Sequence, residues 1–365
     1  MRIAMLAPGY PTDANRYNWT FVHARAKAYA ERDQEVRAFV PGPSGDWTFE
    51  GIPATQRGLG GLPAAIGAWA PDAVALHGPY FKLIQAIRRV NAPYVVWVHG
   101  HEALWNFGGF RHGRSVADRA LRALKTPGRL LWQMTQVRRF LRSSPRVVFV
   151  SAWMKRQAEL HTAASYPHSV VIPNPVDTRL FGYRWRAAAL KHGVTIRSLN
   201  SRKYGVDLAI RAMTRAGGAD LSIVGSGSLE PALRRLTSRL GAPVRFAAPS
   251  IPHQELPRIH GEHGFFVAAS RVEAQGVAMC EAMASGLPPV AMAVGGIPEF
   301  VTDGASGILV PPRDWRGLGE AIARLVEAPE HARRLSEGAR ERVLATCAAD
   351  LVVPRELNLL REAAS

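Results

Sequence analysis

"SRVEAQGVAMCEAMASG", Ser270 to Gly286, sets two acids, Glu273 and Glu281, into a stretch otherwise composed for burial. Val277, Ala278, Met279, Cys280, Ala282 and Met283 read as a packed helix that starts at about Gly276. Gly264–Ala268 before it and Pro289–Ala293 after it read as buried strands. Strand, helix, strand is the repeating unit of a parallel α/β sheet, and it fixes the class of this half of the chain. A carboxylate buried in such a unit costs several kcal/mol unless something satisfies it. Glu281 therefore needs a partner.

The same alternation extends in both directions. Upstream, strands are expected near Ile3–Ala7, Glu35–Val40, Ala73–His77, Tyr94–Val98, Val147–Val150 and Val170–Ile172, with helices such as Trp19–Glu31 and Ala152–Leu160 among them. The second series adds Val194–Leu199, Leu221–Val224 and Val244–Phe246. "IPNPVD", Ile172 to Asp177, separates the two with a pair of prolines. After a turn-rich stretch following Ala293, Arg316–Glu327 reads as a helix and Glu330–Ala364 as mostly helical. The expected organisation is two Rossmann-like domains, residues 1–172 and 173–345, facing across a cleft, with a C-terminal helix at 346–365 that packs back on the first. Such domains bind ligands outside the carboxyl ends of their strands.

Composition narrows the class. The chain has 365 residues, 47% of them hydrophobic and 21% charged, as in a globular protein. No apolar run reaches the roughly 20 residues of a membrane span, and the N-terminus turns polar too soon for a secretion signal. Two cysteines, Cys280 and Cys347, are too few for a disulfide framework or a zinc site, so a reducing cytoplasm is expected. The formal charge of +17 is uneven: residues 1–172 hold 22 Lys/Arg against 10 Asp/Glu. Arg111 to Arg146 alone holds ten Lys/Arg against the single acid Asp118, interleaved with Leu130, Leu131, Trp132 and Phe140. That pattern fits either a solvated helix pair or a segment lying on an anionic membrane surface.

The chemistry starts at Gly276. A helix start carries unpaired N–H groups and a positive dipole end, which suits a phosphate. Glu281 lies five residues on, about 7.5 Å along the axis, with its Cβ leaning back toward that end. A ribose diol beside a pyrophosphate has this geometry, and a carboxylate accepts two hydroxyl hydrogen bonds. Glu273, in the loop before the helix, is placed for the hydroxyls of a sugar. The pair brackets a nucleotide diphosphate sugar.

Two acids separated by seven residues and followed by "EAMASGLPPVAMAVGGIPEFV" resemble the donor-site motif of glycosyltransferase family 4, retaining enzymes of the GT-B fold. The resemblance is strong over residues 170–330 and weak before them. It implies that a basic pair in "IRSLNSRKYGVDLAI", Arg197 and Lys203, with Arg202 as a substitute for either, holds the diphosphate. Fixed cations stabilise charge on a departing phosphate. It places Gly225 and Gly227 near the nucleotide, with Gly276 and Val277 at the helix start. Gly296 and Glu299 fall in the loop beside the donor sugar, or in an ordinary turn. His99, at the end of "WVHGHEALW", matches a histidine close to the sugar's reacting carbon; His77 ends a neighbouring strand. On the acceptor side the candidates are His101, Glu102, Gly9, Tyr10 and Asn18, although the first loop has one glycine where relatives commonly have two.

Read this way, the chain is a retaining glycosyltransferase. It moves a sugar from a UDP- or GDP-sugar to a hydroxyl of a lipid-linked or polysaccharide acceptor in cell-envelope glycan synthesis, in the cytoplasm and peripherally at the inner membrane face. No metal or other cofactor is expected. The alternatives are a soluble transferase acting on a small metabolite and, from another class, a basic nucleic-acid-binding protein. No nucleic-acid module supports the last, and the absence of a G-x-G-x-x-G loop argues against a double-Rossmann oxidoreductase.

Overall fold

The computed structural model describes residues 1–16, 18–104, 128, 131–132, 134–248 and 251–365. Its contacts divide it into two units, Met1–Ile172 with Val353–Ser365, and Pro173–Val352. The second unit thus runs to Val352, into the last helix, Ala349–Ala364, whose remainder belongs to the first. Each unit is a parallel α/β domain around its own sheet.

In the first unit the strands are β1 (Arg2–Leu6), β2 (Glu35–Pro41), β3 (Gly45–Phe49), β4 (Ile52–Arg57), β5 (Ala73–His77), β6 (Tyr94–Val98), β7 (Val147–Phe149) and β8 (Ser169–Val171). Their order in the sheet is β3-β4-β2-β1-β5-β6-β7-β8. All neighbours are parallel except β3 and β4. Every residue of β5 and β7 is buried, as expected where both faces of a sheet are covered. The strand order reverses at β1 and β5, so ligands are expected past Leu6, His77 and Val98.

The second unit holds β9 (His192–Ile196), β10 (Asp220–Val224), β11 (Val244–Ala248), β12 (Phe265–Ala268), β13 (Pro289–Met292) and β14 (Ile308–Val310), in the all-parallel order β11-β10-β9-β12-β13-β14. Here the order reverses between β9 and β12. Arg197 follows the first of these strands directly, and the quoted acidic loop follows the second.

Several expectations shift. β9 ends at Ile196, not Leu199, because the chain leaves the sheet to pair with the loop after β10: Leu199 N–H donates to the Ser226 carbonyl at 2.8 Å. The β3–β4 hairpin was not legible; its turn is made by Glu50 and Gly51, both at positive φ (44° and 84°). The stretch after Ala293 contains a short helix, Ile297–Phe300, and β14. The last segment is two helices, Pro329–Thr346 and Ala349–Ala364, broken at Cys347, whose carbonyl accepts from Val176 N–H.

Of the basic segment, residues 111–127, 129, 130 and 133 lie outside the described residues. Residues 134–143 are helical, with Met134, Val137 and Leu141 forming a buried stripe. Phe140 belongs with that stripe: it is buried and stacked on Tyr94 at 6.0 Å, so it is not a membrane-facing side chain. Leu131 and Trp132 are exposed, at 59% and 48%. Among the described residues no helix is long and apolar enough to cross a membrane.

Candidate active site

In the second unit the site grows from the end of β9. Arg197 N–H donates to the Val224 carbonyl, which fixes the backbone where the strand stops. Its side chain is 8% exposed, with the guanidinium 5.4 Å from the Phe266 ring and 5.6 Å from that of Tyr204. Nε and Nη2 are buried and have no hydrogen-bond partner among the described residues. Leaving nitrogens of an ionised group without partners away from water is expensive, and an anion would offset that cost.

The loop after β10 closes against it. A Cβ on Gly225, at φ 138°, would lie 1.9 Å from the Arg197 carbonyl oxygen, and one on Gly227 would lie 2.3 Å from the Leu199 carbonyl carbon. Only glycine lets the two loops approach so closely. Asn200 Oδ1 accepts from Ser228 N–H at 2.8 Å and completes the seam. Next comes the turn Arg202–Tyr204, which places Lys203 Nζ 4.6 Å from the Tyr204 ring and leaves Arg202 exposed.

A contact that the sequence reading missed ties this turn to the acidic loop. Arg271 donates two parallel hydrogen bonds to Asp207, at 2.8 and 2.7 Å, and a third to the Arg202 carbonyl; its own N–H donates to the Lys203 carbonyl. Burial opposes ionisation of Asp207, but the Arg271 fork outweighs it and holds the carboxyl below its ordinary range. Lys203 and Glu273 thus sit on loops clamped together by a bidentate pair.

Glu273 is half-buried, with Oε2 3.5 Å from Ser270 Oγ. Its carbonyl accepts from Gly296 N–H, which brings the Gly296 loop against it; Glu299 follows, with its carbonyl held by Arg342. Gln275, also unremarked in the sequence, is buried and exchanges three hydrogen bonds with Asn174 of the "IPNPVD" stretch. Gly276 then caps the helix Val277–Ala284 at φ 82°. A Cβ there would meet only ordinary contacts, 3.5 Å or more away, so its glycine answers to the left-handed backbone rather than to crowding.

Glu281 has the partner its burial demanded. It is 8% exposed, and Oε1 accepts from His253 Nε2 at 2.8 Å. The His253 ring stands edge-on to Phe181 at 5.3 Å. His253 lies in "AAPSIPHQEL" after β11, 28 positions from Glu281, and nothing in the sequence linked them.

In the first unit the strand ends gather histidines instead of arginines. His77 ends β5 and His99 follows β6, with His77 Nδ1 3.1 Å from His99 Nε2 and the rings stacked at 5.3 Å. Trp19 and Phe21 flank His99 at 6.2 and 4.7 Å. Burial, and after it the Arg25 cation, pushes both imidazoles well below their usual pKa, so both are neutral near pH 7. Arg25 is locked: it forks onto Glu356, which also accepts from Tyr29 Oη at 2.9 Å and Trp97 Nε1 at 3.2 Å.

The acceptor-side candidates have structural duties here. Glu102 is buried and accepts the backbone N–H of His99. Tyr10 is 2% exposed with its hydroxyl 2.7 Å from His23 Nδ1, so it braces the first loop from behind and its hydroxyl does not face solvent. Asn18 Nδ2 donates to the Tyr10 carbonyl, and its amide fills the space a Cβ on Gly9 would need. His101 begins a short turn, His101–Ala103; its side chain lies outside the described residues.

Comparison with known proteins agrees with both halves. Residues 194–342 match the family described as glycosyl transferases group 1, and residues 19–180 match glycosyltransferase family 4. A GDP-mannose-dependent alpha-(1-6)-phosphatidylinositol monomannoside mannosyltransferase of Mycolicibacterium smegmatis is 31% identical over 286 residues, 75% of this chain and 69% of that protein. A D-inositol 3-phosphate glycosyltransferase of Frankia alni is 37% identical over 140 residues, 36% of this chain and 34% of that protein. Among solved structures, sucrose-phosphate synthase from Thermosynechococcus elongatus superposes over 100% of both chains with a TM-score of 0.76 at 20% identity, a likeness of fold. Two parallel α/β domains, family matches over both halves and a relative aligned over most of its length together make the chain a glycosyltransferase of family 4 with the GT-B fold.

Proposed function

We propose that this glycosyltransferase is a retaining enzyme that takes a hexosyl group from a nucleotide diphosphate sugar, GDP-mannose in the first instance, to a hydroxyl of an inositol-containing lipid acceptor. The observation that carries the reading is Arg197: a buried guanidinium with two nitrogens that have no partner among the described residues, beside a loop that only glycine can form. A diphosphate supplies the missing charge. The GDP-mannose and lipid assignments draw on the name of the mycobacterial relative.

In this reading Arg197 and Lys203 hold the diphosphate, with Arg202 at the rim, while Gly225, Gly227, Gly276 and Val277 line the phosphate path. Glu281 takes the ribose hydroxyls and Glu273 the sugar, with Gly296 and Glu299 beside it. His99 attends the transferred sugar. As the anomeric C–O bond breaks, negative charge grows on the β-phosphate, where fixed cations stabilise it most. The acceptor oxygen enters on the face the phosphate leaves and passes its proton to a phosphate oxygen, so configuration is kept. Exposed Leu131 and Trp132 give the acceptor side an apolar edge suited to a membrane surface.

The test is a panel of GDP- and UDP-sugars with phosphatidylinositol, its mannosides or free inositol phosphates as acceptors, read by nucleotide release and by NMR of the anomeric proton. GDP-mannose and a lipid acceptor, with the α-configuration kept, are expected. Transfer only to a soluble inositol phosphate would favour a second reading, suggested by the Frankia relative. An inverted product would sink the retaining assignment.

A further inference from the structure

The helix Thr20–Ala30 begins in an uncommon way. Its N-cap is Trp19, held in the left-handed region at φ 59° and ψ 39°, with no side-chain hydrogen bond to the helix start. A bulky side chain is strained there, whereas asparagine tolerates that conformation and caps helices well. Asn18 is one position away, yet the strained place falls to tryptophan. Strain of this kind persists only where the surroundings hold it, and it gathers at ligand sites. The indole stands among the residues that follow β5 and β6: its centre is 6.3 Å from that of the Tyr80 ring, 6.2 Å from that of His99 and 5.1 Å from that of Phe21. A Cβ on Gly78, at φ 71°, would lie 3.0 Å from atoms of both Trp19 and Tyr80, so the two rings close over a glycine.

The polar tips of this cluster are open. Trp19, Thr20 and Tyr80 are half-buried. Trp19 Nε1, Thr20 Oγ1 and Tyr80 Oη have no hydrogen-bond partner among the described residues, and none of the three atoms is buried. A tryptophan N–H or tyrosine O–H set into protein usually finds a partner. Burial, and after it the Glu102 carboxylate, raises the pKa of the Tyr80 hydroxyl, so it stays protonated and can donate. Aromatic rings with a few unpaired polar groups at their edge are the composition of a small-molecule site. A saturated six-membered polyol has the matching chemistry: a ring face of C–H groups for the aromatics, and an edge of hydroxyls for the polar tips. We propose that Trp19 and Tyr80, with Thr20, form an aromatic shelf that takes the ring of the acceptor, a cyclitol or a pyranose, and so set acceptor specificity. That ring would stand beside His99, which in the proposed function attends the transferred sugar. Calling the ring the acceptor's rests on the proposed function; the binding of a ring to the shelf does not.

Saturation-transfer NMR on the full chain, with and without GDP, reads the contact. The probes are myo-inositol, methyl α-mannopyranoside and sorbitol, an open-chain polyol with as many hydroxyls as inositol and no ring face. At least one of the two rings should be saturated and sorbitol should not; the ring that responds identifies the acceptor's class. Trp19→Phe keeps an aromatic ring, whereas Trp19→Leu and Trp19→Gly remove it. Glycine also suits the left-handed backbone, so a variant without the indole keeps the helix start. In the leucine and glycine variants the signal should vanish. The KM for phosphatidylinositol should rise roughly tenfold, the scale of an aromatic contact, with GDP affinity and donor KM held within about twofold. Trp19→Phe should fall between these and the wild type. Equal saturation of sorbitol and the rings, an unchanged acceptor KM in Trp19→Gly, or a matching loss of GDP affinity would each overturn the shelf. Transfer to an inositol lipid with neither ring saturated in the wild type would overturn it too and leave the proposed function in place. Saturation that depends on Trp19, with no transfer from GDP-mannose to any inositol lipid, would uphold the shelf while the proposed donor and acceptor fall.

Discussion

Two buried arginines in this chain are treated in opposite ways. Arg25 in the first unit is fully buried and forked onto Glu356, whose carboxylate also takes Tyr29 and Trp97. Arg197 in the second is nearly as buried and has two nitrogens with no partner among the described residues. A charge that the fold neutralises for itself is scaffold, and it tunes its neighbours by its field, as Arg25 does for His77 and His99. A charge with no such partner among the described residues is, in the proposed function, the seat of the diphosphate. Stability and activity should therefore separate between the two positions.

The widest separation is expected on replacing each arginine with methionine. Arg25→Met strands Glu356 in the interior and should cost about 3–5 kcal/mol of stability. Arg197→Met removes an uncompensated cation, so melting should hold or rise while kcat/KM falls roughly a hundredfold or more. Thermal melts and steady-state kinetics on the two proteins check both; equal destabilisation would erase the contrast.

A smaller effect is expected at Glu281, the acid that already has a partner in His253. Glu281→Ala should weaken nucleotide binding roughly tenfold, the scale of a hydrogen bond to a charged group. His253→Ala should weaken it less, and the double variant should fall short of the sum, because the two share one contact. Fluorescence titration with GDP measures all three.

Histidines test the contrast by pH. Burial lowers the pKa of His77, His99 and His260, the last to about 3. The unfolded chain then binds more protons than the folded one once pH falls below the ordinary histidine value of about 6.5, so stability should be intact above it and decline steadily below it. Denaturant melts across that range check the sign. The smallest change is expected for Asp207→Asn, within about 1 kcal/mol for a partly exposed pair, with the loss appearing in kcat through the loosened Lys203 turn.

Much of this plan was legible in the sequence because buried parallel strands are written as continuous apolar runs: Tyr94–Val98, for example, falls on β6 with the same ends. The helix Val277–Ala284 was legible because Val277, Ala278, Met279, Cys280, Ala282 and Met283 form an apolar run that starts just after Gly276. The β3–β4 hairpin was not, since an edge hairpin alternates weakly and its Glu-Gly turn lacks the usual Asn or Asp. Nor were the partners. Arg25 and Glu356 are 331 positions apart, Asp207 and Arg271 are 64, and no local period announces a pair closed by tertiary packing. Sequence named Arg197 and Glu281; only the structure distinguishes the group left open from the group already held.

Calorimetric titration of the wild type and Arg197→Met with GDP and with inorganic pyrophosphate is the shortest route to the central claim. Saturable binding of both anions to the wild type, and its loss for pyrophosphate with marked weakening for GDP in the variant, is the result the account requires. Equal affinities in the two proteins would mean that the Arg197 guanidinium holds no phosphate, and the donor site would have to be sought elsewhere.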